Sequence, residues 1–168
     1  MIPAGSWLTG GRVGRPHGLD GSFHVTHPRP RLLAPGVTVL VAGVEAEVVR
    51  RAGTEDRPIL RLSGVDDRGA AESLRGEELL VPRAAAPALG EGEWWAEDFE
   101  GCVVTDGPTE IGRVRRMVAL PSCEALEVER GGADGGDLLI PLVRDAVREV
   151  DVEAHRIDVD LAFLGEDA

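Results

Sequence analysis

The stretch Val37-Thr38-Val39-Leu40-Val41-Ala42-Gly43-Val44-Glu45-Ala46-Glu47-Val48-Val49-Arg50 decides what kind of fold this chain adopts. Two runs rich in β-branched residues flank Gly43, and the second alternates Val44, Ala46 and Val48 with Glu45 and Glu47. A period of two puts one face on a core and the other in water, as a half-buried strand requires. A glycine between two such runs supplies the turn. The stretch therefore predicts strand, turn, strand.

On either side lie more runs of the same kind: Trp7 to Val13, Ser22 to Thr26 and Pro58 to Leu62, with a turn at Gly53-Thr54. One helix interrupts them. Asp66 or Asp67 can cap it, Ala70, Ala71 and Leu74 form its apolar face, Gly76 ends it, and Glu77 to Val81 returns as a strand. Repeated short strands without a long helical period predict an all-β unit, a small antiparallel barrel with a short helix. Pro82 to Gly92 carries the prolines, small residues and glycines of a linker, with room for a short helical turn. The expected division is thus a first domain over 1–83, a linker over 84–92 and a second domain over 93–168.

The second domain reads the same way. Cys102 to Thr105, Ile111 to Ala119, Ala125 to Glu129, Leu138 to Pro141, Val147 to Val152 and Arg156 to Leu161 are short strands, with turns at Asp106-Gly107-Pro108 and from Gly131 to Gly136. A second small β-barrel is expected. Its thin core makes the rings of Trp94, Trp95, Phe99 and Phe163 important to it.

A length of 168 residues, 43% of them hydrophobic and 29% charged, describes a folded globular chain rather than a disordered one. No apolar run approaches the ~20 residues of a membrane-spanning helix, and the N-terminus lacks the pattern of a secretory signal. A cytoplasmic protein without a membrane partner is expected. Cys102 and Cys123 form no C-x-x-C and have no histidine nearby, so buried reduced thiols are expected rather than zinc or a disulfide.

Charge is unevenly divided. Up to Arg83 there are 11 arginines and 10 acids, and beyond it 7 arginines and 20 acids, so the net charge of −12 is the sum of +1 and −13. An acidic second half repels bare nucleic acid and attracts a basic protein within about 8 Å, one Debye length at physiological salt. Every basic residue is arginine and none is lysine. Compositional bias is therefore an alternative source of the acidity, although it does not account for its confinement to one half.

Within that acidic half stands Glu93-Trp94-Trp95-Ala96-Glu97-Asp98-Phe99-Glu100-Gly101. If it opens a strand, neighbouring tryptophans face opposite ways and cannot both enter one core. The second ring either covers a seam between the domains or serves as a binding anchor ringed by carboxylates. Both uses stay open.

Catalytic patterns are missing: there is no G-x-S-x-G elbow, no phosphate-binding G-x-x-x-x-G-K-[ST] loop and no H-E-x-x-H. Gly10-Gly11-Arg12-Val13-Gly14 falls short of a dinucleotide fingerprint, and His24 and His27 do not read as a metal pair on a strand. His17 with Asp20, or Glu97 with Asp98, would be the best groups for an enzyme, but neither pair has a nucleophile or metal set beside it. No enzyme activity, cofactor or metal is expected. More specific is the glycine-rich loop from Gly14 to Gly21, set in the one locally cationic region. Arg12, Arg15 and His17 are candidate phosphate contacts there, and the alternative is that the loop merely turns a barrel corner. Without aromatic rings between the arginines, base stacking is not expected on it.

Taken together these motifs resemble the ribosome maturation factor RimM family over nearly the full length. The Gly14 to Gly21 loop is similar to that family's opening motif, and Leu62 to Arg68 with Ala70, Ala71, Leu74 and Gly76 to its helix segment. Trp94-Trp95, Asp98 to Gly101, Ile111 to Val114, Ile140-Pro141 and Val150-Asp151 are similar to its C-terminal domain. The resemblance implies a six-stranded translation-factor-like barrel followed by a PRC barrel. It also implies binding to ribosomal protein S19 and to the immature small ribosomal subunit with its rRNA, assisting late head assembly and 16S rRNA processing. The family's paired aromatics, usually two tyrosines, align with Trp94 and Trp95 and imply the S19 contact there. Asp20 stands where a basic residue is common. A PRC-type module of another complex is the alternative, and a monomer is expected.

Overall fold

A computed structural model of the chain describes residues 7–131 and 136–165. Two compact units divide it, Met1–Gly90 and Glu91–Ala168. Among the described residues no helix is long and apolar enough to cross a membrane.

The first unit is a closed barrel of six strands in the order β1-β2-β5-β4-β3-β6, where β1 is Trp7–Pro16, β2 Phe23–Thr26, β3 Thr38–Val41, β4 Val44–Gly53, β5 Pro58–Leu62 and β6 Glu78–Pro82. All of its pairings are antiparallel. The hairpin anticipated at residues 37–50 is present, with Val41 opposite Val44 and positive φ at both Ala42 and Gly43, the backbone of a two-residue turn that follows strand twist. Alternation delivers Val39, Val41, Ala46 and Val48 to the interior beside Phe23, Leu60, Leu62, Leu79 and Val81. The helix α1, Arg68–Ser73, is capped by Asp67, whose carboxylate accepts the Ala70 N–H at 2.8 Å. A short 3₁₀ turn at Arg83–Ala85 follows β6.

The second unit is a curled sheet in the order β10-β9-β8-β7-β12-β11. Its strands are β7 Val103–Asp106, β8 Thr109–Ala119, β9 Glu124–Arg130, β10 Leu138–Pro141, β11 Val147–Asp151 and β12 Arg156–Val159. Strands β7 to β10 form an antiparallel meander, while β12 lies parallel to β7, with Ile157 opposite Val104. Gly132 to Gly135 of the anticipated glycine-rich turn lie outside the described residues.

Three local expectations need correction. Glu93 to Gly101 does not open a strand: Ala96–Phe99 is a single helical turn, α2, with Trp95 at its N-cap. The core of the second unit is aliphatic, built on Val104, Val114, Leu126, Val128, Ile140, Ile157 and Val159, and of the four rings expected in it only Phe99 is fully enclosed. Phe163 is 54% exposed on the last helical turn, α3 (Leu161–Leu164), where Leu161 takes the inward position instead. Cys102 is buried but Cys123, beside the β8–β9 turn, is only partly so.

Candidate interaction surfaces

The indoles are presented by a very short device. Trp95 gives its N–H to Asp98 Oδ2 at 2.9 Å, and the Asp98 N–H returns to the Trp95 carbonyl at 2.9 Å. This reciprocal closure satisfies groups that a helix start otherwise leaves open, in the manner of the second half of a capping box. Phe99, 2% exposed, plugs α2 into the core, and Gly101 N–H to Val114 O at 2.8 Å ties its end to β8. Trp94 then rests edge-on against Phe99, with ring centroids 5.9 Å apart, and remains 40% exposed. Trp95 is half-buried. The neighbouring tryptophans do differ in exposure, but a helix cap rather than strand alternation separates them.

Electrostatics around this turn are negative. Burial, and then the neighbouring Glu97 charge, push the Glu100 carboxyl above its ordinary range. A cation placed beside the pair would relieve that repulsion. Elsewhere in the unit three arginines are committed to carboxylates. A register shift between Val114 and Arg116 puts Arg115 and Arg116 both on the exposed side of β8. Arg115 reaches Glu127 at 3.4 Å and Asp137 at 3.0 Å, and Arg116 also pairs with Glu127. Arg148 takes three carboxylates, Asp106 at 2.8 Å, Asp158 at 3.4 Å and Asp160 at 3.5 Å. Arg115, Arg116 and Arg148 thus balance acids of their own unit.

On the first unit, Arg12, Arg15 and His17 are all exposed. Simple alternation would send Arg12 and Arg15 to opposite faces, but the β1–β2 register shifts between Val13 and Pro16 and leaves both outward. They are not equivalent. Arg12 is engaged by Glu78 at 2.8 Å, whereas Arg15 has no carboxylate within ion-pair distance among the described residues. His17 meets His24 edge-to-face with centroids 5.1 Å apart, a contact made by the β1–β2 pairing. The loop itself is pinned from beneath. Gly21 has φ +85°, and a Cβ there would lie 2.0 Å from the Val65 carbonyl oxygen.

Sequence reasoning missed the groups that complete this loop from a distance. Arg50 of β4 lies 3.5 Å from Asp20, and Arg68 of α1 donates to the Gly18 carbonyl at 3.3 Å. No local pattern announces either residue, because closure of the barrel brings them there. The sequence marks Asp98 as an acid beside the tryptophans, as half of a candidate acidic pair and as part of a family motif, but not as the group that holds the Trp95 N–H.

Comparison with known proteins agrees with this architecture. Residues 8–86 match the RimM N-terminal domain and residues 96–163 the RimM PRC barrel domain. The ribosome maturation factor RimM of Sorangium cellulosum is 37% identical over 164 residues, covering 90% of this chain and 92% of the relative. That of Frankia casuarinae is 39% identical over 165 residues, covering 89% and 91%. Among solved structures, the N-terminal domain of RimM from Thermus thermophilus is 27% identical, covering 50% of this chain and 98% of that chain with a TM-score of 0.44. With both domain types matched in chain order and full-length relatives on either side, the chain belongs to the RimM family of ribosome maturation factors.

Proposed function

We propose that the chain acts by binding alone, as a cytoplasmic monomer of two domains, 1–83 and 93–168, joined through 84–92. The second domain takes hold of ribosomal protein S19 in the head of the small subunit. Trp94 and Trp95 are its apolar anchor, and surrounding carboxylates steer the basic partner in. Arg12, Arg15 and His17 of the first domain touch rRNA phosphates nearby. By holding protein and rRNA together the factor favours the mature arrangement of the head, assists 16S rRNA processing, and forms or breaks no bond itself.

The observation that carries this reading is Trp94. It is a large ring kept 40% exposed on a turn braced by Phe99 and Asp98, and such an ordered aromatic loses little conformational freedom on binding. The mutual repulsion of Glu97 and Glu100, which adds to burial in raising the Glu100 carboxyl, supports a cationic partner.

The test is a titration of S19 with the full chain and with a Trp94→Ala, Trp95→Ala variant. Loss of about 2 kcal/mol would weaken binding roughly 30-fold. Unchanged affinity would remove the anchor. Steering is checked separately, since the association rate should fall as salt rises.

A further inference from the structure

Under the tip of the Gly14–Gly21 loop lies an open pocket of about 220 Å³. Leu19, Ala52 and Ile59 give it an apolar wall, and His17, Asp20 and Arg50 bring an imidazole, a carboxylate and a guanidinium to it. Its shape is held from several sides. The His17 N–H reaches the Ser22 carbonyl at 2.7 Å, Arg68 holds the Gly18 carbonyl, and Gly21 sits against Val65. Yet Leu19 at the tip is 79% exposed, a large apolar side chain kept in water by a braced loop.

The polar groups define what would fit. Asp20 Oδ1 accepts the Ser22 N–H at 3.1 Å, while Oδ2 lies 3.5 Å from Arg50 Nη1, longer than a charge-assisted hydrogen bond. A carboxylate has about four acceptor sites, so capacity is left over. Hydrogen bonds from the Ser22 hydroxyl and then from its backbone N–H hold the Asp20 carboxyl below its ordinary value, so at neutral pH it accepts and does not donate. A matching ligand has a flat, largely apolar body, adjacent N–H donors on one edge, and a negative charge near Arg50. An unstacked guanine nucleotide has all three, since its N1–H and 2-amino group lie side by side. Adenine would instead turn a ring-nitrogen acceptor toward the carboxylate.

We propose that this pocket takes a single unstacked guanine of ribosomal RNA. Asp20 reads the donor edge, Leu19 and His17 cover the base, and Arg50 stands beside its phosphate. The proposal rests on the reading that the first domain touches rRNA, and it adds a base contact to phosphate contacts that carry no sequence information. It also gives Asp20 a role that a basic residue at that position could not fill.

The experiment is fluorescence anisotropy of the full chain with labelled oligouridine octamers carrying one central guanosine, inosine or adenosine. The guanosine octamer should bind about tenfold more tightly than the adenosine octamer, with inosine between them because it lacks the 2-amino donor. Asp20→Asn keeps an acceptor for the Ser22 N–H and should erase the preference while thermal unfolding stays close to that of the parent. Equal affinity for the three octamers overturns the proposal, as does a preference that survives Asp20→Asn. An arginine-containing peptide that binds with loss on Asp20→Asn, beside uniform octamer affinities, would assign the pocket to a protein side chain and also overturn it. An Arg12→Ala, Arg15→Ala variant separates the two levels. If it weakens all octamers alike and the parent has no guanosine preference, the pocket assignment fails and the phosphate reading stands. No binding of any octamer to the parent overturns both.

Discussion

Asp98 and Trp95 hold each other by two hydrogen bonds, the Trp95 N–H donating to the Asp98 carboxylate and the Asp98 N–H to the Trp95 carbonyl, both at 2.9 Å. The turn of α2 is only Ala96–Phe99, so this closure sets where Trp94 and Trp95 stand. Asp98→Ala should destabilise the second unit by about 1 kcal/mol, the usual worth of a helix-start hydrogen bond. Asp98→Asn, which retains an acceptor, should lose less. Denaturant midpoints followed by tryptophan emission would test this, and equal losses for the two variants would mean the carboxylate does not position the indoles.

Among the described residues Arg148 is the single cation paired with Asp106, Asp158 and Asp160, and it also donates to the Val159 carbonyl at 2.6 Å. Its hydrogen bond to Asp106 comes first among the causes that raise its pKa. Arg148→Met would leave three carboxylates facing one another, so the melting temperature should fall at pH 7. Part of that loss should return at high salt, which screens the repulsion between the exposed carboxylates. A loss of the same size at low and at high salt would show that the guanidinium matters for packing rather than for charge.

Gly21 and Gly76 both have positive φ, +85° and +90°, but only at Gly21 would a Cβ strike backbone. Gly76→Ala carries conformational strain alone, about 1–3 kcal/mol. Gly21→Ala must in addition push the loop off Val65 and is expected to cost clearly more. Urea unfolding of both variants makes the comparison. A smaller loss at Gly21 would show that the loop can move away from Val65 at little cost.

His24 has its pKa lowered by desolvation, then by Arg15 and by His17. The sign follows directly. Below the ordinary histidine value of 6.5 the unfolded chain binds a proton that the folded chain resists, so stability declines as the pH falls through that value and levels off below the folded pKa. His24→Gln should flatten this slope, and Arg15→Ala should raise the His24 titration midpoint seen by NMR. A His24 resonance titrating at or above the ordinary value would refute the assignment of cause.

Much of the fold was legible because strand formation here depends on neighbours in sequence. The strand runs, the Asp67 cap and the turn after Val41 were each visible in a few residues, as was the cationic loop. What failed was equally local in cause. The tryptophan stretch offers a strand only as one possibility, and the Asp98 bond that makes it a helical cap depends on a single side chain. Phe163 reads as core by type, yet helix geometry gives the inward position to Leu161.

Side-chain periodicity and turn chemistry in the sequence alone determined that this chain is all-β, separates into two parts and concentrates acid in the second, since those properties depend on residues within a few positions of one another. Only the tertiary structure decided that Arg12 and Arg15 share one outward side, that β12 runs beside β7, and that Arg50 and Arg68 converge on the Gly18–Asp20 tip. A register shift and the closure of a barrel arise from pairing between strands far apart in the chain, and short-range patterns do not encode which distant partner each strand will meet.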